Sequence, residues 1–233
     1  GIQASYHPAR RSLILVVRSQ RNYWKCFLLE MFFIGLLAGL LIGLCIRRWH
    51  QLAAETAGER AVRSRLTTTF LGPSYHLLNS VTLPCPGGTT QIDHILVSTF
   101  GIFVIESKHY TGWIFANANS AKWTQVLYKV KHQFQNPLRQ NYKHYAELQK
   151  LLDFIPKEHI SSAVVFTGDA RFKTEVPNGV YNLDQLVHFI KSKHTEVISL
   201  NRVQFCVGRL ECTRFALTSQ TDVEHRTNLE KRF

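Results

Sequence analysis

The sequence lacks the close cysteine and histidine spacings that bind zinc. Its 11 histidines include no HExxH pair, and its five cysteines include no CxxC pair. The odd, scattered set of cysteines does not resemble the disulfide framework of a small secreted protein, so we expect a reducing compartment. The cysteines are Cys26, Cys45, Cys85, Cys206 and Cys212.

Acidic residues are also scarce, since 16 Asp and Glu stand against 28 Lys and Arg and give a formal net charge of +12. Residues 1–50 hold seven Lys or Arg and one Glu, so they carry half of that charge. A mildly basic globular part suits a polyanionic partner, although many basic proteins bind none. No internal repeat or low-complexity linker divides the 233 residues, which favours one α/β domain with appended segments.

Methionine occurs once, at Met31, where a long apolar run begins. The sixteen residues 31–46 carry no charge before Arg47, and residues 26–46 are interrupted only by Glu30. That length is close to the minimum for a helix that crosses a bilayer. No small-x-small cleavage site follows the run, which argues against a cleaved signal peptide. We therefore expect a single N-terminal transmembrane helix over residues 26–46.

A basic segment, residues 1–25, precedes this helix and need not belong to the native product. We expect translation to begin at Met31, which the intact mass of the natural protein would test. With that start, Arg47 and Arg48 hold the globular domain, residues 51–233, in the cytoplasm. The expected location is the inner (cytoplasmic) membrane of a bacterium, with a single pass through the lipid bilayer. If residues 1–30 are native, the orientation of the helix in the membrane stays open.

Three charged residues interrupt two apolar segments, Asp93 in QIDHILVS and Glu106 and Lys108 in GIFVIESK. Both segments are typical of strands, and the four residues Ser98–Gly101 can make a tight turn between them. Side chains two apart on a strand share a face, and Asp93 can lie beside that face if the strands pair. Two carboxylates suit a hard divalent cation, and a lysine can stand near the attacking water. The trio is a candidate for metal-dependent phosphodiester hydrolysis.

A simpler interpretation is an ordinary hairpin, because a Glu–Lys pair on a solvated strand face is common. The apolar character of the two strands favours a site, since charges in buried strands are costly unless they are paired or bind a metal. His94 adjoins Asp93, but strand neighbours point to opposite faces, so we expect it to be packed rather than catalytic.

Apolar spacing predicts a helix over residues 51–70 that carries Glu59 and ends at Gly72-Pro73. Asn136-Pro137 starts another helix, which reaches about Phe154. The apolar stripe of this second helix consists of Leu138, Tyr142, Tyr145, Leu148 and Leu152. We expect strands near residues 76–83, 89–98, 101–108, 112–117 and 160–167, and a short strand or the approach to a helix at 123–130. Further helices are predicted over residues 182–193, 200–210 and 218–231.

Several ordered motifs resemble the nuclease-related domain family, NERD, a branch of the PD-(D/E)XK nuclease superfamily. They are Gly58-Glu59, TQIDHILVS at 90–98, GIFVIESK at 101–108, Gly112, Trp123 and NPLRQ at 136–140. The resemblance is strong over residues 56–168. It implies an α/β, restriction-endonuclease-like fold in which a mixed central sheet of four strands is flanked by helices.

The resemblance also implies roles for five side chains. Asp93 and Glu106 match metal ligands for Mg²⁺ or Mn²⁺, and Lys108 matches the lysine of the E-x-K element. Glu59 matches an acidic residue beside the metal, with a solvated helix residue as the alternative. Gln140 matches a glutamine that orients a phosphate or the lysine, with a bond to free backbone groups as the alternative.

The implied function is a membrane-anchored, metal-dependent nuclease that hydrolyses phosphodiester bonds in DNA. The alternatives are an inactive nucleic-acid-binding module tethered to the membrane and a membrane scaffold that binds another protein. Basic residues near the second helix can track a phosphate backbone or form a solvated face. They are Lys129, Lys131, Arg139, Lys143 and Lys150. Trp113 and Trp123 can stack on bases, although core packing is the default interpretation for each.

Overall fold

The computed structural model describes residues 31–32, 34–36, 39 and 55–215. The chain divides into two compact units, Gly1–Ala53 and Ala54–Phe233. In the first unit the described residues are helical. Nowhere in the described parts of the chain is a helix long and apolar enough to cross a membrane.

Three predictions fall on residues that the structure does not describe or describes only in part. The predicted transmembrane helix over residues 26–46 lies largely outside the described residues. The basic segment 1–25 and the predicted helix over 218–231 lie entirely outside them.

Nine strands and four helices occur between residues 55 and 215. The strands are β1 (Tyr75–Cys85), β2 (Gly88–Ser98), β3 (Gly101–His109), β4 (Gly112–Phe115), β5 (Lys122–Leu127), β6 (Val130–Gln135), β7 (Ile160–Thr167), β8 (Ala170–Phe172) and β9 (Val180–Tyr181). The helices are α1 (Ala57–Thr69), α2 (Pro137–Leu151), α3 (Leu183–Ser192) and α4 (Leu200–Thr213), and a 3₁₀ turn, Lys157–His159, precedes β7.

The main sheet has the strand order β1-β2-β3-β7-β9. The first three strands form antiparallel pairs, whereas β7 runs parallel to both β3 and β9. The apolar positions of β3 alternate between the two faces of this sheet, so that Ile102 and Val104 pack in one core and Phe103 and Ile105 in the other. Because both faces are covered, the central strands are nearly continuous apolar runs.

Helices cover both faces of the main sheet. Leu148 of α2 and Cys206 of α4 belong to the first core, and Val62 of α1 and Leu186 of α3 belong to the second. The expected mixed α/β sheet between helices is therefore present. One position of the predicted α2 stripe is wrong, because Tyr142 is 66% exposed.

A second sheet, with the order β6-β5-β4-β8, departs from the expected single sheet of four strands. The segment near residues 123–130 divides into two strands, because Tyr128 adopts a positive φ of 53° between them. Gly112 has a φ of 81°, and a Cβ there would meet the Val126 carbonyl oxygen at 2.5 Å. This glycine therefore allows β4 to leave the end of β3 and pair with β5.

Gly58 lets α1 approach the ends of β3 and β7. A Cβ at this position would lie 2.9 Å from both His109 Cβ and Thr167 Oγ1. We expect Gly58→Ala to lower the free energy of unfolding by about 1–3 kcal/mol, because the helix or the strands must shift. The control is Gly208→Ala in α4, where a Cβ meets nothing within 4 Å and should instead stabilise the helix slightly. Urea unfolding of the two variants measures the difference, and equal effects would contradict the close approach.

Candidate active site

The hairpin of β2 and β3 brings Asp93 to Glu106. Because His94 pairs with Ile105, Asp93 lies opposite Glu106 at the end of the ladder. Asp93 Oδ2 accepts hydrogen bonds from the Ser107 backbone N–H and the Ser107 hydroxyl, each at 2.8 Å. These two donors fix the orientation of the Asp93 carboxylate.

Lys108 joins Glu106 to helix α2. Its ammonium Nζ lies 2.6 Å from Glu106 Oε1 and donates a further hydrogen bond to Gln140 Oε1 at 3.1 Å. Glu106 is only 2% exposed, so its charge is balanced within the protein. The predicted same-face pair of Glu106 and Lys108 is thus a close ion pair, and Gln140 orients the lysine.

His144 is a site residue that the sequence reasoning missed. Its Nε2 lies 3.2 Å from Glu106 Oε2, and its Nδ1 lies 2.7 Å from Thr90 Oγ1. His144 is buried and follows Gln140 by one helical turn, so the two side chains reach the same cleft. That i, i+4 spacing is the signal that the sequence offers for His144.

Two buried asparagines hold α2 in this position. Asn136 caps the helix, accepting from the Leu138 backbone N–H, and donates to the Ala118 and Ser120 carbonyls. Asn141 Nδ2 lies 3.0 Å from the Val104 carbonyl oxygen, and it donates to two groups of β7 as well. The start of the helix is therefore tied to both central strands, which places Gln140 and His144.

Glu59 lies at the start of α1. Thr56 caps this helix by accepting from the Glu59 backbone N–H, and its hydroxyl donates to Glu59 Oε1 at 2.8 Å. Glu59 lines the same cleft of about 790 Å³ as Asp93, Glu106, Lys108, Gln140, Lys143 and His144. A larger open groove, of about 910 Å³, lies beside α3 and contains none of these residues.

The two central carboxyl groups of the cleft have pKa values that are shifted in opposite directions. Burial, and then the nearby charges of Glu106 and Glu59, raise the pKa of Asp93 to about 8. Burial also acts to raise the pKa of Glu106, but the Lys108 ammonium and the His144 ring outweigh it and lower that pKa. Burial also acts to lower the pKa of Lys108, but the carboxyl groups of Glu106 and Asp93 outweigh burial and raise that pKa. The cleft therefore holds a charged Glu106–Lys108 pair and a carboxyl group at Asp93 that lacks a counter-charge of its own.

The donor set fits a hard divalent cation. Carboxylate oxygens are the preferred ligands of Mg²⁺, which is usually held by one or two carboxylates together with water and substrate phosphates. Glu106 Oε2 is buried and, apart from His144 Nε2 at 3.2 Å, has no hydrogen-bond partner among the described residues. In the same part of the chain, no group of three or more His, Cys, Asp or Glu side chains is arranged to hold a metal. The residues thus fit a cation that keeps water or phosphate ligands.

Most of the other candidate residues lie outside the cleft that contains Asp93, Glu106 and Lys108. His94 is buried, its Nδ1 lies 2.7 Å from Asn79 Oδ1, and burial lowers its pKa to about 4. Trp123 is buried in the core, whereas Trp113 is half exposed on the second sheet. The candidate phosphate-binding residues do not share one element: Lys129 and Lys131 lie on or beside β6, and Arg139, Lys143 and Lys150 lie on α2. Of these five, Lys143 lines the cleft.

Comparison with known proteins identifies part of the chain. Residues 54–167 match the family described as the nuclease-related domain, NERD. An uncharacterized protein of Bacillus anthracis is 44% identical over 98 residues, which are 42% of this chain and 46% of that protein. The chain therefore matches less than half the length of that relative. No solved structure matches the chain.

Proposed function

We propose that this chain, which carries a nuclease-related domain over residues 54–167, hydrolyses phosphodiester bonds in DNA with Mg²⁺ or Mn²⁺. Nuclease-like domains of the PD-(D/E)XK type usually use divalent metals. The observation that supports the proposal most is the convergence of Asp93, Glu106 and Lys108 in one cleft, where Gln140 contacts the lysine. Two carboxylates and a buried ammonium are what the hydrolysis of a phosphodiester needs.

In this proposal Asp93 and Glu106 hold the cation. At this site the cation would supply polarisation of a phosphoryl oxygen and a lower pKa for a bound water molecule. Lys108 offsets the negative charge that grows on the phosphoryl oxygens, and Gln140 keeps the ammonium directed into the cleft. Ser107 fixes Asp93 through two hydrogen bonds, so the carboxylate needs little reorganisation.

The direct test is cleavage of fluorescent single- and double-stranded DNA by the purified full chain in Mn²⁺. We expect the parent protein to cut, and Lys108→Ala to cut at least about 100-fold more slowly, because the developing charge loses its counter-charge. Asp93→Ala should be inactive. Lys191→Ala is the matched control, because Lys191 is an exposed lysine in the last turn of α3 and does not line the cleft. Circular dichroism of each variant verifies folding.

A folded parent protein that cuts neither DNA nor RNA in Mg²⁺ or Mn²⁺ would contradict the proposal. Equal rates for Lys108→Ala and Lys191→Ala would place the reaction elsewhere in the molecule.

A nucleic-acid-binding module without activity is the second candidate. The observation that favours it is that both carboxylate oxygens of Glu106 already have close polar neighbours. Oε1 lies 2.6 Å from Lys108 Nζ, and Oε2 lies 3.2 Å from His144 Nε2. A cation would have to displace one of these neighbours to reach Glu106. Binding that needs no metal and survives Asp93→Ala, without any cutting, would support this candidate.

A membrane anchor over residues 26–46 is part of the same proposal and rests on their apolar sequence. Fractionation of cells that express the full chain, compared with a chain beginning at residue 51, tests it. We expect the full chain in the membrane fraction after a high-salt wash. Its complete release by salt would contradict an anchor that crosses the bilayer.

A further inference from the structure

The second sheet presents an exposed face that the candidate active site does not use. Trp113 pairs with Val126 on β5 and with Arg171 on β8, and Val126 pairs with Lys131 on β6. Paired residues of neighbouring strands share a face, and so do residues two apart on one strand. The aromatic–basic face defined in this way carries Trp113, Phe115, Lys122, Lys131 and Arg171, with Lys173 beside them.

The two aromatic residues of this face are accessible to solvent. Trp113 is 48% exposed and Phe115 is 39% exposed, whereas Ile114 between them is fully buried in the core. The Lys173 ammonium lies 4.6 Å from the centre of the Trp113 ring, a cation–π contact. Two accessible rings on neighbouring positions of one face, set among basic side chains, offer flat apolar surfaces on which a ligand can stack.

The charged side chains on the strands of this face are all positive, although the exposed Asp169 directly precedes β8. The four strands β4, β5, β6 and β8 contain no Asp or Glu. Lys122, Lys131 and Arg171 are all exposed, and Lys129 lies in the β5–β6 turn beside Tyr128, which is fully exposed. A protein interface of the usual kind is depleted in lysine at its centre, whereas a polyanion is attracted to this pattern.

Stacking rings among positive charges match the chemistry of a single nucleic-acid strand. Bases stack on aromatic side chains while Lys and Arg contact the phosphates, and this recognition tolerates any sequence. Two aromatic residues two apart on one strand of a four-stranded sheet lie about 7 Å apart, an arrangement on which successive unpaired bases stack. Bases within a duplex are already stacked on their neighbours, so duplex DNA cannot use the rings in this way.

The face leads toward the cleft. Gln135, the last residue of β6, pairs with Lys122 and therefore belongs to the same face of the sheet. Gln135 also lines the cleft that contains Asp93 and Lys108. Gln135 thus connects the face to the cleft, so a nucleic-acid strand that lies across β4, β5 and β6 ends beside the charged trio.

We propose that the aromatic–basic face binds single-stranded nucleic acid by stacking bases on Trp113 and Phe115. The inference rests on the proposed function in one respect, because it specifies the substrate as a single strand that reaches the cleft. Binding itself requires neither metal nor cleavage.

The test is binding by the full chain in EDTA, where no cleavage occurs, to fluorescent oligonucleotides of about 16 nucleotides. Fluorescence anisotropy is recorded with single-stranded DNA, single-stranded RNA and duplex DNA. We expect the combined variant Trp113→Ala and Phe115→Ala to bind single strands at least about 10-fold more weakly, because each lost stack contributes on the order of 1–3 kcal/mol. Trp113→Phe should keep most of the affinity. When a single strand binds to the parent protein, we expect quenching of the Trp113 fluorescence. This quenching should be absent in both variants, because neither contains Trp113.

Phe205→Ala is the matched control, since Phe205 is an exposed aromatic residue of α4 on a different part of the domain. It should bind as the parent does. For the charges, the combined variant Lys131→Ala and Arg171→Ala should weaken binding and flatten its salt dependence. Lys191→Ala with Lys193→Ala, at the end of α3, should not.

Each of several results would overturn the inference. They are unchanged affinity in the Trp113 and Phe115 variant, equal or tighter binding to the duplex, and no binding of any oligonucleotide. Preferential binding to vesicles that contain anionic lipid, or dissociation of a dimer by these substitutions, would assign the face to a membrane surface or to a second copy of the chain. Failure of the proposed nuclease function is a separate result, because single-strand binding in EDTA would persist while Mn²⁺ produced no cleavage.

Discussion

Replacing Asp93 by asparagine is expected to abolish cleavage and, in the absence of metal, to stabilise the folded protein. The rate should fall by about three orders of magnitude or more, because a neutral amide binds a divalent cation much more weakly than a carboxylate. The free energy of unfolding in EDTA should rise by on the order of 1–3 kcal/mol.

The loss of cleavage and the gain in stability both follow from the position of the Asp93 carboxyl group. Asp93 is buried near the carboxylates of Glu106 and Glu59, and these surroundings raise its pKa to about 8. A carboxyl group whose folded pKa lies above its unfolded value destabilises the fold at neutral pH, where the unfolded chain keeps it ionised. The asparagine oxygen can still accept the two hydrogen bonds from Ser107, so the local geometry is retained. The variant therefore loses the unfavourable electrostatics together with the proposed ligand.

Thermal and urea unfolding in EDTA, together with the cleavage assay in Mn²⁺, measure both effects on one preparation. Asp153→Asn is the control, because Asp153 is exposed and lies outside the cleft. It should change neither quantity appreciably. A destabilised Asp93→Asn variant would show that the carboxylate is needed for folding, and an active one would show that it is not the proposed ligand.

The trio was predictable from the sequence because it depends on local rules. The alternation of a strand places Glu106 and Lys108 on one face, and the short turn at residues 98–101 brings Asp93 opposite Glu106. Gln140 was assigned only through the family resemblance. Its contact with Lys108 depends on how α2 docks, which no spacing along the chain determines.

The features that sequence reasoning missed depend on contacts between distant segments. His144 meets Glu106 across 38 positions of the chain, and helical spacing relates it only to Gln140. The second sheet contains strands as short as Ala170–Phe172, whose pattern is too brief to distinguish from a loop. Trp113 has more apolar neighbours in the sequence than Trp123, yet pairing in that sheet exposes the first and buries the second.

The second large effect is expected for Asn141→Ala. This substitution should lower the free energy of unfolding by about 2–4 kcal/mol, although alanine is the better helix former. Asn141 Nδ2 lies within 3.0 Å of the Val104 carbonyl oxygen on β3 and within 2.9 Å of the Ala163 carbonyl and Ser162 hydroxyl oxygens on β7. All of these contacts are lost together, and buried acceptors left without a donor are costly.

Asn201→Ala is the matched control, because Asn201 is an exposed residue of α4 and should change stability little or raise it. Urea unfolding of both variants gives the free energies. A loss below about 1 kcal/mol for Asn141→Ala would mean that water replaces the amide and that the helix is held by its apolar contacts alone. The expected larger loss of unfolding free energy in Asn141→Ala should also lower the activity. Gln140 and His144 flank Lys108 and Glu106 from the same helix, so loosening α2 should slow cleavage even in conditions where the protein stays folded.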